Sequence, residues 1–258
     1  RATAFGLYDG NTVGVAERTA PGRADAKLGA PRQRLHILRA GHVVMACGAL
    51  ERPLVFAGND TPGVMLAGAV GSYVNRFAVR PGRQAVFAVN NDAAYGDAMA
   101  LARAGAKVCI ADLRPTVDPV MLGQAQAVGI EVLTATAVAA ASGGQRVRSC
   151  SMVPFDLALG KATGAVFTRD VDLVAMSGGW TPSVHLSSHR GIKPRYRDDL
   201  GAFVPGGFDA GHAGAGAMVG CQDLAQAIGS GWGAAQEAAV RRGMALATEM
   251  PNAPLGAD

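Results

Sequence analysis

Aromatic residues make up 5% of this 258-residue sequence and charged residues 17%. No uninterrupted apolar stretch reaches the roughly eighteen residues needed to span a bilayer, so no membrane-spanning segment is expected. C-x-x-C is absent. The four cysteines, Cys47, Cys109, Cys150 and Cys221, stand far apart, and Cys47 and Cys109 sit in apolar strand-like runs of the kind that hold reduced thiols. A reducing, cytoplasmic compartment is therefore expected. Gly-x-Ser-x-Gly is missing and no Ser/His/Asp arrangement is readable, which leaves hydrolase chemistry without support. The net charge of +4 and pI near 9.1 come from scattered arginines. The local clusters PRQRLHILR and HRGIKPRYR lack the interleaved aromatics of a base-stacking surface, so no nucleic-acid partner is expected. No signal-peptide pattern opens the sequence. It starts at Arg1, without methionine and in the middle of a strand-like region, and reads as a piece of something longer.

What is present is a globular profile, 49% hydrophobic, with 35 glycines, many beside alanine. That composition suits helices packed tightly on parallel sheets. Thr12–Arg18 and Gln33–Arg39 alternate as half-buried strands, joined by a polar Gly/Pro-bearing connection from Thr19 to Pro31. His42–Ala46 is an apolar run of the fully buried kind. Val64–Arg76 predicts a helix with small residues on one face. After Pro81-Gly82 the chain enters a strand–helix–strand unit. A loop, a helix over Val120–Val128, the strand Ile130–Ala135, and short strands between Val138 and Asp172 follow. Asp172–Met176 predicts another buried strand.

The strand–helix–strand unit, AVFAVNNDAAYGDAMALARAGAKVCIADL from Ala85, carries the central question. Its second strand ends on Asp112, about twenty residues past the turn, where a dinucleotide fold places its ribose-reading acid. Yet the glycines of G-x-G-x-x-G are missing, and Asn90-Asn91-Asp92-Ala93-Ala94-Tyr95 stands in their place. Asp92 would set a carboxylate against a pyrophosphate, unfavourable by roughly 1–4 kcal/mol at surface-like screening. Tyr95 would fill the position where the third glycine permits close helix–strand packing. An alternative role for Asp92 is to cap the following helix, taking the N–H groups a phosphate would otherwise use. Asn90, Asp92 and Asp112 are thus candidate cofactor-binding residues, with a degenerate turn as the competing reading. If the unit binds, Asp112 favours NAD, and Arg114 is the feature that argues for NADP.

Other strand ends are richer in glycine. Ala46-Cys47-Gly48-Ala49 and Ser177-Gly178-Gly179-Trp180 each follow a buried strand, at the sheet edge where open α/β folds bind ligands. For Gly48 and Ala49 an ordinary tight turn is the alternative. Gly214 and Gly216 lie in a glycine-dense loop before a helix, which suits a pyrophosphate or simply bends the chain. His185 and His189 are four apart, the spacing of two metal ligands on one helix face, but no acid or cysteine nearby completes a set. Glu51 and Arg52 suggest a local ion pair or a ribose contact. No metal ligand and no catalytic acid, base or nucleophile is nominated.

AFGLYDGNTVGVAER, RAGHVVMACGALERPLVFAGNDTPGVMLAGAV, VNNDAAYGDAMALARAG and VAMSGGWTPSVHL together resemble the alpha subunits of heterotetrameric sarcosine oxidase. The resemblance runs from Ala4 to about Ala239, and GALERPLVFAGNDTPGVML and NNDAAY are its specific parts. It implies a glutathione-reductase-like FAD/NAD(P)-binding α/β fold, with Rossmann-type parallel sheets and a small β-meander. Residues 1–76 and 178–258 would form a first, FAD-type domain, incomplete at its N-terminus, and 77–177 an inserted NAD-type domain. Gly48, Ala49, Gly179, Trp180, Gly214 and Gly216 would line the first domain's cleft. Cys47 stands where such proteins usually have threonine, so a hydroxyl contact there is in doubt. The resemblance further implies NAD in this subunit, FAD and FMN associated with a partner beta subunit, and oxidative demethylation of sarcosine on that partner's side. The alternatives are an FAD-dependent opine or amine dehydrogenase or hydrogen-cyanide-synthase-like subunit, and a non-catalytic scaffold. Alone, the chain is expected to bind cofactor weakly or to self-associate.

Overall fold

A computed structural model describes residues 2–19 and 31–246, and all elements below are those formed among them. The polar connection between Thr19 and Pro31 falls, apart from its ends, outside the described residues. The chain separates into two compact units, 1–50 together with 181–258, and 51–180.

The first unit opens with β1 (Ala2–Tyr8), β2 (Thr12–Arg18) and β3 (Gln33–Arg39), an antiparallel meander in that order. β4 (Val43–Met45) follows, and β5 (Ala49–Glu51) carries the chain out of the unit.

In the inserted unit, β6 (Val64–Leu66) leads into α1 (Ala67–Phe77). Then come β7 (Gln84–Val89), α2 (Ala93–Arg103), β8 (Lys107–Asp112), α3 (Pro119–Ala127) and β9 (Glu131–Leu133). Antiparallel strands β10 (Thr136–Gly143), β11 (Val147–Asp156), β12 (Lys161–Ala162) and β13 (Phe167–Asp170) precede β14 (Leu173–Ser177). The parallel sheet has the order β6-β14-β7-β8-β9. Alternation along its strands decides which layer each side chain enters. Ala85, Phe87, Val108, Ile110, Leu173 and Ala175 meet the helices. Val86, Cys109, Ala111 and Val174 face Cys150 and Met152 of the antiparallel layer. The helices thus cover one face of the sheet and the β-meander covers the other.

One expectation is corrected here. The helix predicted over Val64–Arg76 begins only at Ala67, because Val64, Met65 and Leu66 pair with Val174, Ala175 and Met176 as a parallel strand. A short apolar run next to small residues reads equally as strand or helix until a neighbour claims it. β6 and α1 lie within the compact unit of residues 51–180. Having no capping side chain at Leu66, α1 takes the Glu51 carboxylate at its first turn, where Gly68 N donates to Oε2 at 2.9 Å.

The chain returns through β15 (Trp180–Pro182) to the first unit. There follow a single turn α4 (His185–Ser188), the hairpin β16 (Arg195–Arg197) with β17 (Ala202–Val204), β18 (His212–Gly214), a 3-10 turn over Gly216–Val219, and α5 (Leu224–Arg241). β18 lies parallel to β4, with His212, Ala213 and Gly214 opposite Val43, Val44 and Met45. The run expected to be fully buried is less so, since Met45 is enclosed but Val44 is exposed. β4 has one described neighbour, whereas each central strand of the inserted sheet has two.

Candidate functional site

The turn between β7 and α2 settles what replaced its glycines. Asp112, at the end of β8, is 0% exposed. The Tyr95 hydroxyl donates to its Oδ2 at 2.8 Å. Arg114 donates three times: backbone N to Oδ1 at 2.9 Å, Nε to Oδ1 at 3.0 Å, and Nη2 to Oδ2 at 2.8 Å. Four donors in this fork geometry match the acceptor sites of a carboxylate, so no acceptor is left for a ribose diol. Arg114 Nη2 also lies 2.8 Å from Asp92 Oδ1, tying the start of α2 to the end of β8.

The capping role expected of Asp92 is corrected. Asp92 makes no side-chain cap hydrogen bond, because its carboxylate is drawn to Arg114. Asn91 supplies the cap, with Ala93 N donating to its Oδ1 at 3.1 Å. Its amide nitrogen reaches Asn90 Oδ1 at 3.1 Å, and Ser177 O and Oγ at 3.1 and 3.2 Å, across to the end of β14. Tyr95 is fully buried, its ring filling the helix–strand seam that a third glycine would leave open. Burial and the Asp112 carboxylate hold its phenol well above the usual range, while Asp112 and then Asp92 hold the guanidinium of Arg114 charged. The sequence reading missed Arg114 and Tyr95 as partners of Asp112. The signal available was an arginine two residues past the acid.

The first unit is different at its strand ends. β4 and β18 run side by side, and just past them the chain turns through Gly48 (φ +71°) and Gly216 (φ +72°). Both sit in the left-handed region that favours glycine. A Cβ built on either would meet no described residue within 4 Å. Ser183 N donates to Gly48 O at 2.9 Å, and Gly216 N to Ser230 Oγ at 2.8 Å, so both turns are anchored while their outer faces stay open. Ala49 follows directly, at the start of β5. Gly214 plays another part: a Cβ there would meet the rings and methyls of Phe208 and Val219, so it permits packing. It also borders a cavity of about 620 Å³ along β18 and α5, lined in part by Asp209, His212, Ser230, Glu237 and Arg241. The first turn of α5 is taken up by Asp223, which accepts from Gln226 N at 2.8 Å.

Gly179 and Trp180 belong to the inserted unit. Arg52 N donates to Gly179 O at 2.8 Å, and the Arg52 guanidinium lies where a Gly179 Cβ would point. Glu51 is engaged with α1, as above. His185 opens the short α4, and His189 Nδ1 contacts Leu186 O at 3.2 Å. Among the described residues no group of three or more His, Cys, Asp or Glu side chains gathers as a metal site, and no helix is long and apolar enough to cross a membrane.

No family model matches the chain. It is 36% identical over 254 residues to the sarcosine oxidase subunit alpha of Corynebacterium sp. (strain P-1), across 98% of this chain and 26% of that protein. To the subunit alpha of Rhizobium meliloti (strain 1021) it is 38% identical over 242 residues, across 93% of this chain and 23% of that protein. Over most of its length the chain is similar to the sarcosine oxidase alpha subunits. It spans about a quarter of the length of these curated relatives. Among solved structures it is similar to thioredoxin reductase of Lactococcus lactis, with a TM-score of 0.63 and 19% identity over 93% of this chain and 74% of that one. L-proline dehydrogenase from P. horikoshii gives a TM-score of 0.61 and 18% identity, over 95% of this chain and 42% of that one. The fold is the thioredoxin-reductase-like α/β type, as the resemblance implied, and the sarcosine oxidase likeness extends over nearly the whole chain.

Proposed function

We propose that this chain is the dinucleotide-binding region of the alpha subunit of a sarcosine-oxidase-type flavoenzyme complex, with NAD held at the Gly48 and Gly216 turns of the first unit. The observation that carries the reading is the pair of open left-handed glycines at the ends of two adjacent parallel strands, the position at which backbone approaches a pyrophosphate most closely. Identity of 36–38% to sarcosine oxidase alpha subunits supplies the family context. Ala49 and Gly214 border that edge in the same reading.

Oxidation of a CH–NH donor, the demethylation of sarcosine, then belongs to flavin carried with a beta subunit. This chain contributes binding and scaffold and no acid, base or nucleophile, since hydride and electron chemistry reside in the cofactor. A reducing, cytoplasmic setting fits four cysteines that remain thiols.

The test is to denature freshly purified protein and identify the released small molecules by absorbance and mass. NAD supports the proposal, and Gly48→Val should then abolish its retention. Released FAD would replace NAD in the site and move the reading towards the opine and amine dehydrogenases. Protein that neither releases nor, on titration, binds either nucleotide would overturn it.

A further inference from the structure

We propose that the inserted unit is a self-liganded dinucleotide site, in which Arg114 and Tyr95 occupy the ribose-reading carboxylate of Asp112 and thereby confine nucleotide binding to the other unit. The inference goes beyond the proposed function and does not need it, because it concerns what residues 51–180 refuse.

The topology alone would predict binding. Parallel strands β7 and β8 flank the crossover α2, β8 ends in an acid, and the turn opens a helix of 11 residues. Each chemical feature a dinucleotide would use there already has an internal partner. The carboxylate that would accept from a ribose diol accepts from a phenol and a guanidinium. The space left by a third glycine holds a buried tyrosine ring. At the second glycine stands Asp92, an anion where a phosphate would sit, and it binds the same guanidinium that seals Asp112. The first-turn amide of Ala93 is taken by Asn91.

A single cation therefore serves both ends of the site, neutralising a carboxylate at the phosphate position and another at the ribose position. To enter, a nucleotide would have to displace an intramolecular fork and strand Arg114 between two unsatisfied acids. An intramolecular group wins such a competition unless the ligand brings a large differential affinity. The arrangement also leaves Arg114 poorly placed to read a 2′-phosphate, since its Nε and Nη2 already bond Asp112.

Two titrations with NADH decide the matter, one on the chain as it stands and one on Asp92→Gly/Arg114→Gln, each folded by near-ultraviolet circular dichroism. The double substitution takes the guanidinium off Asp112, leaving the Tyr95 hydroxyl and the backbone N–H of residue 114 on it, and removes the anion from the phosphate position. It is expected to gain one further equivalent of NADH per chain, with a Kd in the high micromolar range and no change in affinity at any site already present. In the unaltered chain, Asp112→Asn should shift NADH affinity by less than twofold. A folded double variant with no added equivalent would overturn the proposal. So would a tenfold or greater loss of NADH affinity on Asp112→Asn alone, which decides the question even where the double variant fails to fold.

Discussion

The turn after β7 and the turns after β4 and β18 occupy equivalent positions, each at the carboxyl end of parallel strands, yet they have opposite chemistry. The first is closed: its acid, its helix cap and its packing gap are filled by Asp112, Asn91 and Tyr95 with their partners. The second is open, with glycines whose outer faces touch none of the described residues. The cores around them differ in the same sense. Fifteen buried residues form the helix-side core of the inserted unit, whereas the two described clusters of the first unit have three each: Leu7, Met45 and Met218, and Ala213, Ala215 and Ala234. A fold that repeats a nucleotide-binding motif can spend one copy on stability and keep the other open for a ligand. If so, substitutions at the closed turn should cost stability and leave binding alone, and substitutions at the open turn should do the reverse.

The largest effect is expected from Arg114→Ala. It leaves Asp112 fully buried with one remaining side-chain donor, the situation in which breaking a buried ion pair costs about 3–5 kcal/mol. Because Arg114 is itself a quarter exposed, the lower end of that range is expected. Urea denaturation of the variant should show the midpoint falling with an unchanged slope. A loss below about 0.5 kcal/mol, the scale of an exposed pair, would mean that the turn is not a structural lock and would break the comparison. Tyr95→Phe comes next. It keeps the ring in the seam and removes one donor to a charged acceptor, for which about 1.5–3 kcal/mol is expected. Neither change should alter nucleotide retention.

Gly48→Val inverts the pattern. At φ +71° a side chain costs about 1–2 kcal/mol in backbone strain, and with no described residue within 4 Å there is no clash to add. Nucleotide affinity should nonetheless fall at least tenfold, because a branched side chain now stands where backbone is open. Calorimetric titration reads this directly. Unchanged affinity would remove Gly48 from the site.

Much of this comparison was legible in the sequence, and the illegible part has a physical cause. The apolar run of Val86 to Val89, the stop at Gly105 and the run ending on Asp112 place β7, α2 and β8, because those signals are local. The absence of glycines between Asn90 and Tyr95 already pointed to a degenerate turn. What the sequence does not show is where a long side chain goes once the chain has folded. Asp92 stands at a helix start and reads as its cap, but an arginine twenty-two residues on competes for it and wins. Glu51 and Arg52 read as a pair, yet Glu51 reaches the first turn of α1. Val64–Leu66 carries no feature that separates strand from helix until β14 lies beside it. Each miss involves tertiary contact between groups distant in sequence, which composition and periodicity do not encode.

Asp97 tests the comparison from inside the closed unit, with the smallest effect. It lies on α2 against α1, so close to Gly71 that no side chain fits there. Burial first, and then the charge of Glu51, pushes its carboxyl up to about 6 from an ordinary value of 3.8. Its carboxyl resists ionisation, and among the described residues no arginine faces it as Arg114 faces Asp112. The folded protein therefore holds this proton more tightly than the unfolded chain. Its contribution is most favourable below pH 3.8, declines as the pH rises to about 6, and stays at its lowest above that. Asp97→Asn keeps the shape and removes the charge. It should flatten the difference in stability between pH 4 and pH 6 and raise the pH 7 value by about 1 kcal/mol, a figure reduced because the group is only partly enclosed. Thermal midpoints of the variant and the unaltered chain at pH 4 and pH 7 give both numbers. Equal differences at the two pH values would show that Asp97 is ionised without cost, and that α2 tolerates a carboxylate with no arginine to hold it.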